Sequence, residues 1–598
     1  GGAAARPVPA DSPVPAMPLV WNLRPVAARQ VAPTCTCSWV GFNGAWSRGG
    51  GFWGGRRGAG PPGGGAPARS VADYYATTLG SVLAALLIPV LPDELPSRFS
   101  KGSGYEIERN EMPQMKRATR YKKLLEADVR APKGAHMTTL LVVPTQAEAD
   151  EWATMLAAYA PLVLSSALSA KRREAAIGRA CGAPADAPTL LICTPGFAWI
   201  PVSRLSRIIV ERVSAGTYLY PKRPHLHTVD ALTELARARA IPILYGDYPL
   251  PLEYRAHPDK PLKEAPSGTI TLLDTRTRKE DGKDTGVTWK AIPDTLRAEI
   301  GKTLMLNGRT AILAVRRGYT PTVVCRDCGT AVTDEHGRTL SLVTIQSKRM
   351  LRSTDGTTIE NAKTLCKNCG GWNLIPLGIG SERVEEEVRQ AFPDAFIVRI
   401  DQDTTTSRAR LRASIAEPGA IIVGTESMLA WLSPEQPVDL GIIASADSLL
   451  SLPFWRARER FVRVGLLFAE RAKRLIVATR RGSTDAALSA LANPTGSTFW
   501  QEEDQLRKVL NYPPYGTLIV FQVEGTAARI SDARAAIATA CTPYTPSHLP
   551  THPVSATMLR GVSVVQIPHE KWPDSDLSSR IARLSPAIRV HIDSESFW

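Results

Sequence analysis

The chain has 598 residues, 44% of them apolar and 22% charged, with a formal net charge of +15. This length exceeds one hydrophobic core and implies about three to five folded units, and the composition excludes a chain that is disordered throughout or embedded in a membrane. The positive balance, with an isoelectric point near 9.4, favours polyanionic partners such as nucleic acid.

In chain order, residues 1–69 are dominated by Gly, Pro, Ala and Arg, lack any apolar period, and read as a disordered tail. Residues 70–132 read as a helical linker region. Its stretch YYATTLGSVLAALLIPVLP is uncharged over a length that could cross a bilayer, but Tyr, Thr, Gly and Ser dilute its first half and two prolines break its end, so no membrane span is expected. Its stretch MKRATRYKKLLEADVRAPK places seven Lys or Arg within nineteen residues and reads as a solvated helix face.

Short β-branched runs then alternate with amphipathic helical stretches. TTLLVVPT, TLLICTP, RIIVE and IPILYGD mark a first α/β lobe over 133–262. TAILAVRRGY, AFIVRID, AIIVGTES, LGIIASAD and RLIVATR mark a second over 263–500, interrupted at 320–378. From 501 to 598 a helix and several short strands read as a small α+β domain.

The interruption holds the clearest chemistry. Cys325 and Cys328 form one Cys-x-x-Cys-Gly turn, Cys366 and Cys369 another, and two such turns can present four thiolates to one ion. Gly329 and Gly370 relieve the tight turns, where positive φ is expected. Four soft ligands in a closed site favour a structural Zn²⁺ over a redox pair or an iron–sulfur cluster. The other five cysteines, at 35, 37, 181, 193 and 541, receive no role, and an odd count without a disulfide ladder fits a reducing, cytoplasmic setting.

These residues in this order resemble the primosomal replication-restart DNA helicases, the primosomal protein N-prime (PriA) family. VRRGYTPTVVCRDCG is similar to the family's strand running into its first cysteine pair, and CKNCGGWNLIPLGIGSERVEEEVRQAFPDAFIVRIDQDTT to its last pair and the helix and strand that follow. IIVGTESMLA resembles motif V, FWRARERF a later conserved stretch, and LNYPPYG the opening of the C-terminal domain. The resemblance covers about 71–598 and implies two RecA-like helicase lobes, a zinc-binding insertion, a C-terminal domain and binding to forked or single-stranded DNA, with other primosome and replication proteins as possible partners. It also implies DNA or lobe-interface roles for Arg316, Arg317, Thr425 and Arg456.

Departures from the family pattern are as informative. The two inner cysteine pairs have no match in SLVTIQSKRMLRSTDGTT, so one zinc is expected where the family has two. The family's domain that grips a 3′ DNA end has no visible counterpart in residues 1–69. A motor needs a glycine-rich phosphate loop with Lys and Ser or Thr. The nearest candidate, Gly102, Ser103 and Gly104, is followed by Tyr105 and Glu106 where Lys and Thr belong, and the family's asp-glu-glu-his reads Glu211, Arg212, Val213, Ser214. LYGDYPL stands at the gly-ser-ala-thr-pro position and VGLLFAERAKR at the arginine-rich motif. The expectation is therefore a DNA-binding replication-restart protein with a helicase architecture and a defective ATPase, so that ATP and Mg²⁺ are doubtful cofactors. An active ATP-dependent 3′ to 5′ helicase and a zinc-containing scaffold with little DNA contact are the alternatives.

Overall fold

The computed structural model describes residues 65–86, 104–129, 137–181, 189–202, 204–275, 290–314, 322–325, 332, 340–345, 348–353, 359–361, 364–367, 369–377, 380–400, 407–450, 455–479, 485–549, 551–553 and 558–594. All belong to the larger of two units, Cys37–Trp598; the smaller, Gly1–Thr36, lies outside the described residues. The expected tail falls almost wholly outside them too, its last five residues opening helix α1 (Gly65–Tyr74), which is followed by α2 (Leu79–Leu86). Among the described residues no helix is long and apolar enough to cross a membrane.

Six strands form the first sheet: β1 (Ile107–Glu111), β2 (Thr138–Val142), β3 (Leu162–Leu164), β4 (Leu190–Cys193), β5 (Leu205–Glu211) and β6 (Ile243–Asp247). Their order is β1-β6-β5-β2-β4-β3 and every neighbouring pair is parallel. The central runs TTLLV, LLIC and ILYGD are buried at every position. Leu140 and Val142 face one core while Leu141 and Val143 face another, which is why the runs are continuously apolar rather than alternating. Helix α3 (Gln114–Val129) follows β1, and α4 (Gln146–Met155) follows β2. Thr145 caps α4, its hydroxyl accepting from the Glu148 amide at 3.3 Å and donating to Glu148 Oε2 at 2.7 Å.

This arrangement corrects the reading of 70–132 as helical linker. Residues 107–111 are the edge strand of the first sheet, in register with Ile243–Asp247. The sequence IERNE escaped a strand assignment because an edge position tolerates a polar strand.

The second sheet comprises β7 (Thr269–Asp274), β8 (Thr310–Leu313), β14 (Ile397–Ile400), β15 (Ile421–Gly424), β16 (Val438–Ile443) and β17 (Ala472–Thr479), ordered β14-β15-β8-β16-β17-β7 and again wholly parallel. Between β8 and β14 the insertion folds as a two-stranded antiparallel ribbon, β9 (Thr322–Cys325) with β13 (Leu374–Leu377), and a three-stranded sheet of β10 (Leu340–Ile345), β11 (Lys348–Ser353) and β12 (Ile359–Asn361). Two parallel six-stranded sheets, each with helices, are the two RecA-like lobes.

The last part is an antiparallel sheet of β18 (Gly516–Gly525), β19 (Ser547–His548), β20 (His552–Pro553), β21 (Leu559–Pro568) and β22 (Ile588–Ile592). Its core is continuous with that of the first lobe. Helix α1 joins the two: the Tyr74 hydroxyl donates to Asp593 Oδ2 at 2.8 Å, Trp572 Nε1 donates to the Tyr74 carbonyl at 3.0 Å, and the Ser578 hydroxyl donates to the Asp73 carbonyl at 2.6 Å. Burial pushes the Asp593 carboxyl up to about 6, although the Leu518 amide and the Tyr74 hydroxyl both favour its charged form. Tyr74→Phe removes one of these donors from a buried carboxyl group. It is expected to cost about 1–3 kcal/mol, read as an earlier urea midpoint for release of the C-terminal domain.

Candidate nucleotide cleft and metal centre

In a parallel α/β sheet, ligands gather at the carboxyl ends of the strands. Here β1, β6 and β5 are neighbours, so the turn after β1, the Gly246–Asp247 end of β6 and Glu211 at the end of β5 lie side by side. The strand–turn–helix that could cradle a phosphate is therefore β1, Met112–Pro113 and α3. Gly104 lies at the other end of β1, where its amide donates to the Ala240 carbonyl at 3.0 Å. The structure does not bring it to Glu211, which corrects the placement of a degenerate phosphate loop at Gly102–Gly104; Gly102 and Ser103 are outside the described residues. Tyr105 packs against the first lobe's core and the Glu106 carbonyl accepts from Ile243, so neither stands at a phosphate position.

The turn after β1 has no glycine, and its side chains turn inward. Arg117, in the first turn of α3, is 1% exposed and grips Glu211, itself 2% exposed, with Nη2 to Oε1 at 2.6 Å and Nε to Oε1 at 3.0 Å. Tyr121, one turn on, donates to Glu211 Oε2 at 2.7 Å. Arg117 Nη1 also donates to the Met112 carbonyl, closing the turn on itself. Burial opposes the Arg117 charge, but Glu211 and Glu470 more than offset it and raise the guanidinium pKa above its ordinary value. Gly246 completes the packing: a Cβ there would lie 2.1 Å from the Tyr121 hydroxyl and 2.7 Å from Glu211 Oε2. Lys116 points away, pairing at the surface with Glu264.

The second lobe reaches into the same turn. Glu470, at the end of the helix Ala457–Ala469, accepts the Gln114 amide on Oε1 at 2.8 Å. Arg471 donates from Nη2 to Gln114 Oε1 at 2.6 Å and from Nε to the Leu429 carbonyl at 3.0 Å. Glu470 and Arg471 are each 1% exposed. Burial pushes the Glu470 carboxyl up to about 7, against the pull of Arg117 and Arg471.

Arg212 follows Glu211 with a left-handed φ of 51° and forms a two-point pair with Glu148, at 2.7 and 3.0 Å. Asp247, in the LYGDYPL segment, accepts the Ser214 amide on Oδ2 at 2.8 Å and so fixes the loop after Glu211. Arg456 pairs with Glu253 at 2.5 Å and lies over the Trp455 ring at 4.3 Å. It sits beside the buried cluster of Arg507, Glu253, Glu459 and Glu503, in which burial opposes the Glu459 charge but Arg507 and its neighbours bring that carboxyl down to about 2. The geometry thus places Arg456 in a junction between chain segments rather than on an open face. Thr425 is half-buried at the end of β15, its hydroxyl 3.1 Å from that of Ser427. Arg316 and Arg317 lie outside the described residues.

In the insertion, Cys325 ends β9 opposite Leu374 of β13, which brings it to the second cysteine turn. Cys325 Sγ is 3.5 Å from Cys369 Sγ, and the thiols of Cys325, Cys366 and Cys369 all lie within 4.8 Å of one another. A tetrahedral zinc with Zn–S bonds of about 2.3 Å needs thiolates about 3.8 Å apart, so this set fits one ion. The turn is shaped as a knuckle: the Gly370 amide donates to the Cys366 carbonyl at 2.7 Å, the Cys366 amide donates to the Gly371 carbonyl at 2.8 Å, and Gly370 has the positive φ of 71° expected of it. Cys328 and Gly329 are outside the described residues.

The sequence is similar to that of known proteins. Replication restart protein PriA of Bacillus subtilis is 24% identical over 354 residues, covering 56% of this chain and 43% of that protein. The PriA protein of Thermotoga maritima is 26% identical over 351 residues, covering 56% and 46%. That of Haemophilus influenzae is 28% identical over 210 residues, covering 33% and 28%. The chain is a distant homologue of the PriA replication restart proteins. Each match spans less than half of the PriA protein concerned, and no protein-family model matches the chain. Among solved structures, Mss116p bound to ssRNA and AMP-PNP aligns with a TM-score of 0.37 and 11% identity over 69% of this chain and 71% of that one. Saccharomyces cerevisiae Dbp5 bound to RNA and ADP BeF3 gives 0.34 and 11% over 72% and 92%. At these scores the strand order, rather than the neighbours, carries the fold assignment.

Arg117, Gln114, Glu470 and Arg471 were not singled out from the sequence. One signal was present: the buried positions of α3 are 114, 117, 118, 121 and 125, a helical stripe on which Arg117 falls on the inward face. Removing one partner of a buried pair strands the other's charge. Arg117→Ala is therefore expected to destabilise the first lobe by about 3–5 kcal/mol, whereas Arg117→Met with Glu211→Leu is expected to recover most of that loss, both read by urea unfolding.

Proposed function

We propose that this PriA-like chain binds branched or single-stranded DNA in replication restart, with a helicase architecture that does not run on ATP. The observation that carries the second half is the Arg117–Glu211 pair. Phosphoryl transfer depends on positioning and charge neutralisation, with a loop lysine on the phosphates and a metal held by Ser or Thr and a carboxylate. Here the carboxylate at the end of β5 is consumed by a guanidinium from the very turn that should cradle phosphates, and Lys116 faces outward. ATP and Mg²⁺ do not fit these residues. DNA binding rests on the PriA homology and on the net charge of +15. Arg316, Arg317 and Thr425 remain the proposed DNA contacts.

Two measurements on the whole chain separate this reading from an active helicase and from a scaffold. Phosphate release with forked DNA and excess Mg²⁺ is expected to stay at background, and turnover near one per second that Glu211→Gln abolishes would establish a working motor. Fork affinity is expected to fall steeply with salt, log K losing about 0.9 per duplex phosphate contacted for each unit of log salt. An absence of binding at low salt would favour the scaffold.

The metal centre is proposed to hold one structural zinc through Cys325, Cys328, Cys366 and Cys369, its chemistry being cross-linking of the ribbon rather than catalysis. Elemental analysis is expected to give one zinc per chain, lost in Cys366→Ser. Two zincs, or an unchanged content in the variant, would contradict the assignment.

A further inference from the structure

The first amides of a helix have no partner within the helix and carry its positive dipole end, which is why phosphates and carboxylates collect there. At the start of α3 the anion is supplied from within the chain. The Gln114 amide donates to Glu470 Oε1 of the second lobe at 2.8 Å, and the neighbouring Arg471 donates to the Gln114 side-chain oxygen at 2.6 Å. Arg471 is in turn fixed to the second lobe through the Leu429 and Leu467 carbonyls at 3.0 and 3.2 Å.

We infer that Glu470 and Arg471 form an internal latch that takes the place of a nucleotide at the turn after β1, holding the two lobes together with no ligand bound.

Around it the lobes are stitched at further points. The Ser433 hydroxyl donates to Glu151 Oε1 at 2.9 Å, Arg412 Nη2 donates to the Ala147 carbonyl at 3.1 Å, and the Leu252 amide donates to Glu459 Oε1 at 3.0 Å. The latch differs from these in being buried and charged on both sides. Arg117 and Glu211 of the first lobe complete it, so two cations and two carboxylate groups meet at one turn. In such an arrangement a nucleotide can reach the turn only by displacing Glu470 and Arg471, so its binding must offset the loss of these contacts.

The inference rests on the nucleotide-free reading of the cleft, and the experiment separates the two. Small-angle X-ray scattering and hydrogen exchange of the peptide spanning 112–120 are recorded for the wild type, Glu470→Gln and Glu470→Lys, with and without AMP-PNP and Mg²⁺; calorimetry reports AMP-PNP binding. The wild type and Glu470→Gln, which keeps an acceptor, are expected to share one radius of gyration that AMP-PNP leaves unchanged. Glu470→Lys places a cation against the helix start and is expected to enlarge that radius and to speed exchange of the peptide roughly ten- to hundredfold. If AMP-PNP does not bind and Glu470→Lys changes neither quantity, the latch is wrong while the nucleotide-free reading stands. Binding of AMP-PNP without contraction overturns that reading and leaves the latch, and binding with contraction overturns both. Should Glu470→Lys lose its helical circular dichroism, Gln114→Ala with Arg471→Ala takes its place under the same outcomes.

Discussion

The first lobe is organised around a guanidinium buried where a helicase-like fold opens toward its nucleotide. Taking Arg117 and Glu211 out of water costs several kcal/mol per ion, and their attraction offsets that cost only because the geometry is close and the neighbours contribute: Tyr121 donates to the second carboxylate oxygen, the Met112 carbonyl accepts from Arg117 Nη1, and Gly246 leaves room for all of it. The pair adds less to net stability than to uniqueness. Any rearrangement that separates the pair leaves an unpaired buried charge, so opening the turn after β1 is costly.

From that constraint the relation between the lobes follows. A closed turn directs the free amide of Gln114 toward the second lobe, where a carboxylate and a guanidinium meet it. In a working motor this boundary must form and break in each cycle, and its groups must be exchangeable with solvent and ligand. Here they are buried and drawn from the chain itself, although Glu470 Oε2 and Gln114 Nε2 are left without a hydrogen-bond partner. On the proposed reading, a sheet architecture that can support a cycle serves as a fixed frame when the cleft is filled from inside. The cysteine ribbon lies between β8 and β14 in the chain and is built on small sheets of its own, separate from the two six-stranded sheets.

Much of the architecture was legible. Runs such as TTLLV and IIVG are apolar at each position because both faces of a parallel sheet are covered, and that pattern is local. The cysteine turns were legible because thiol spacing is itself a statement of geometry, and Glu211 because it ends a β-branched run. Other features were hidden for physical reasons. Gly102 and Gly104 carry the glycine pattern of a phosphate loop, whereas the turn after β1, Met112–Pro113, contains no glycine and so bears no such signature. β1 reads as polar because an edge strand has only one covered side. Arg117 sits in a run rich in Lys and Arg of which Lys116, Lys122 and Lys123 are exposed, and its burial depends on Glu211, 94 residues away. Glu470 and Arg471 find Gln114 across more than 350 residues, a pairing that no local pattern encodes.

The bond between Tyr74 and Asp593 joins residues 519 positions apart. A ribosome adding about 5–20 residues each second needs roughly half a minute to two minutes to cover that distance. During that interval the helix that carries Tyr74 has no Asp593 to pair with, and once the strands up to Asp247 have been made the face that the final sheet covers also lacks its partner. Helix α1 thus waits for a residue made near the end of the described chain, and the face beneath it stays uncovered until then.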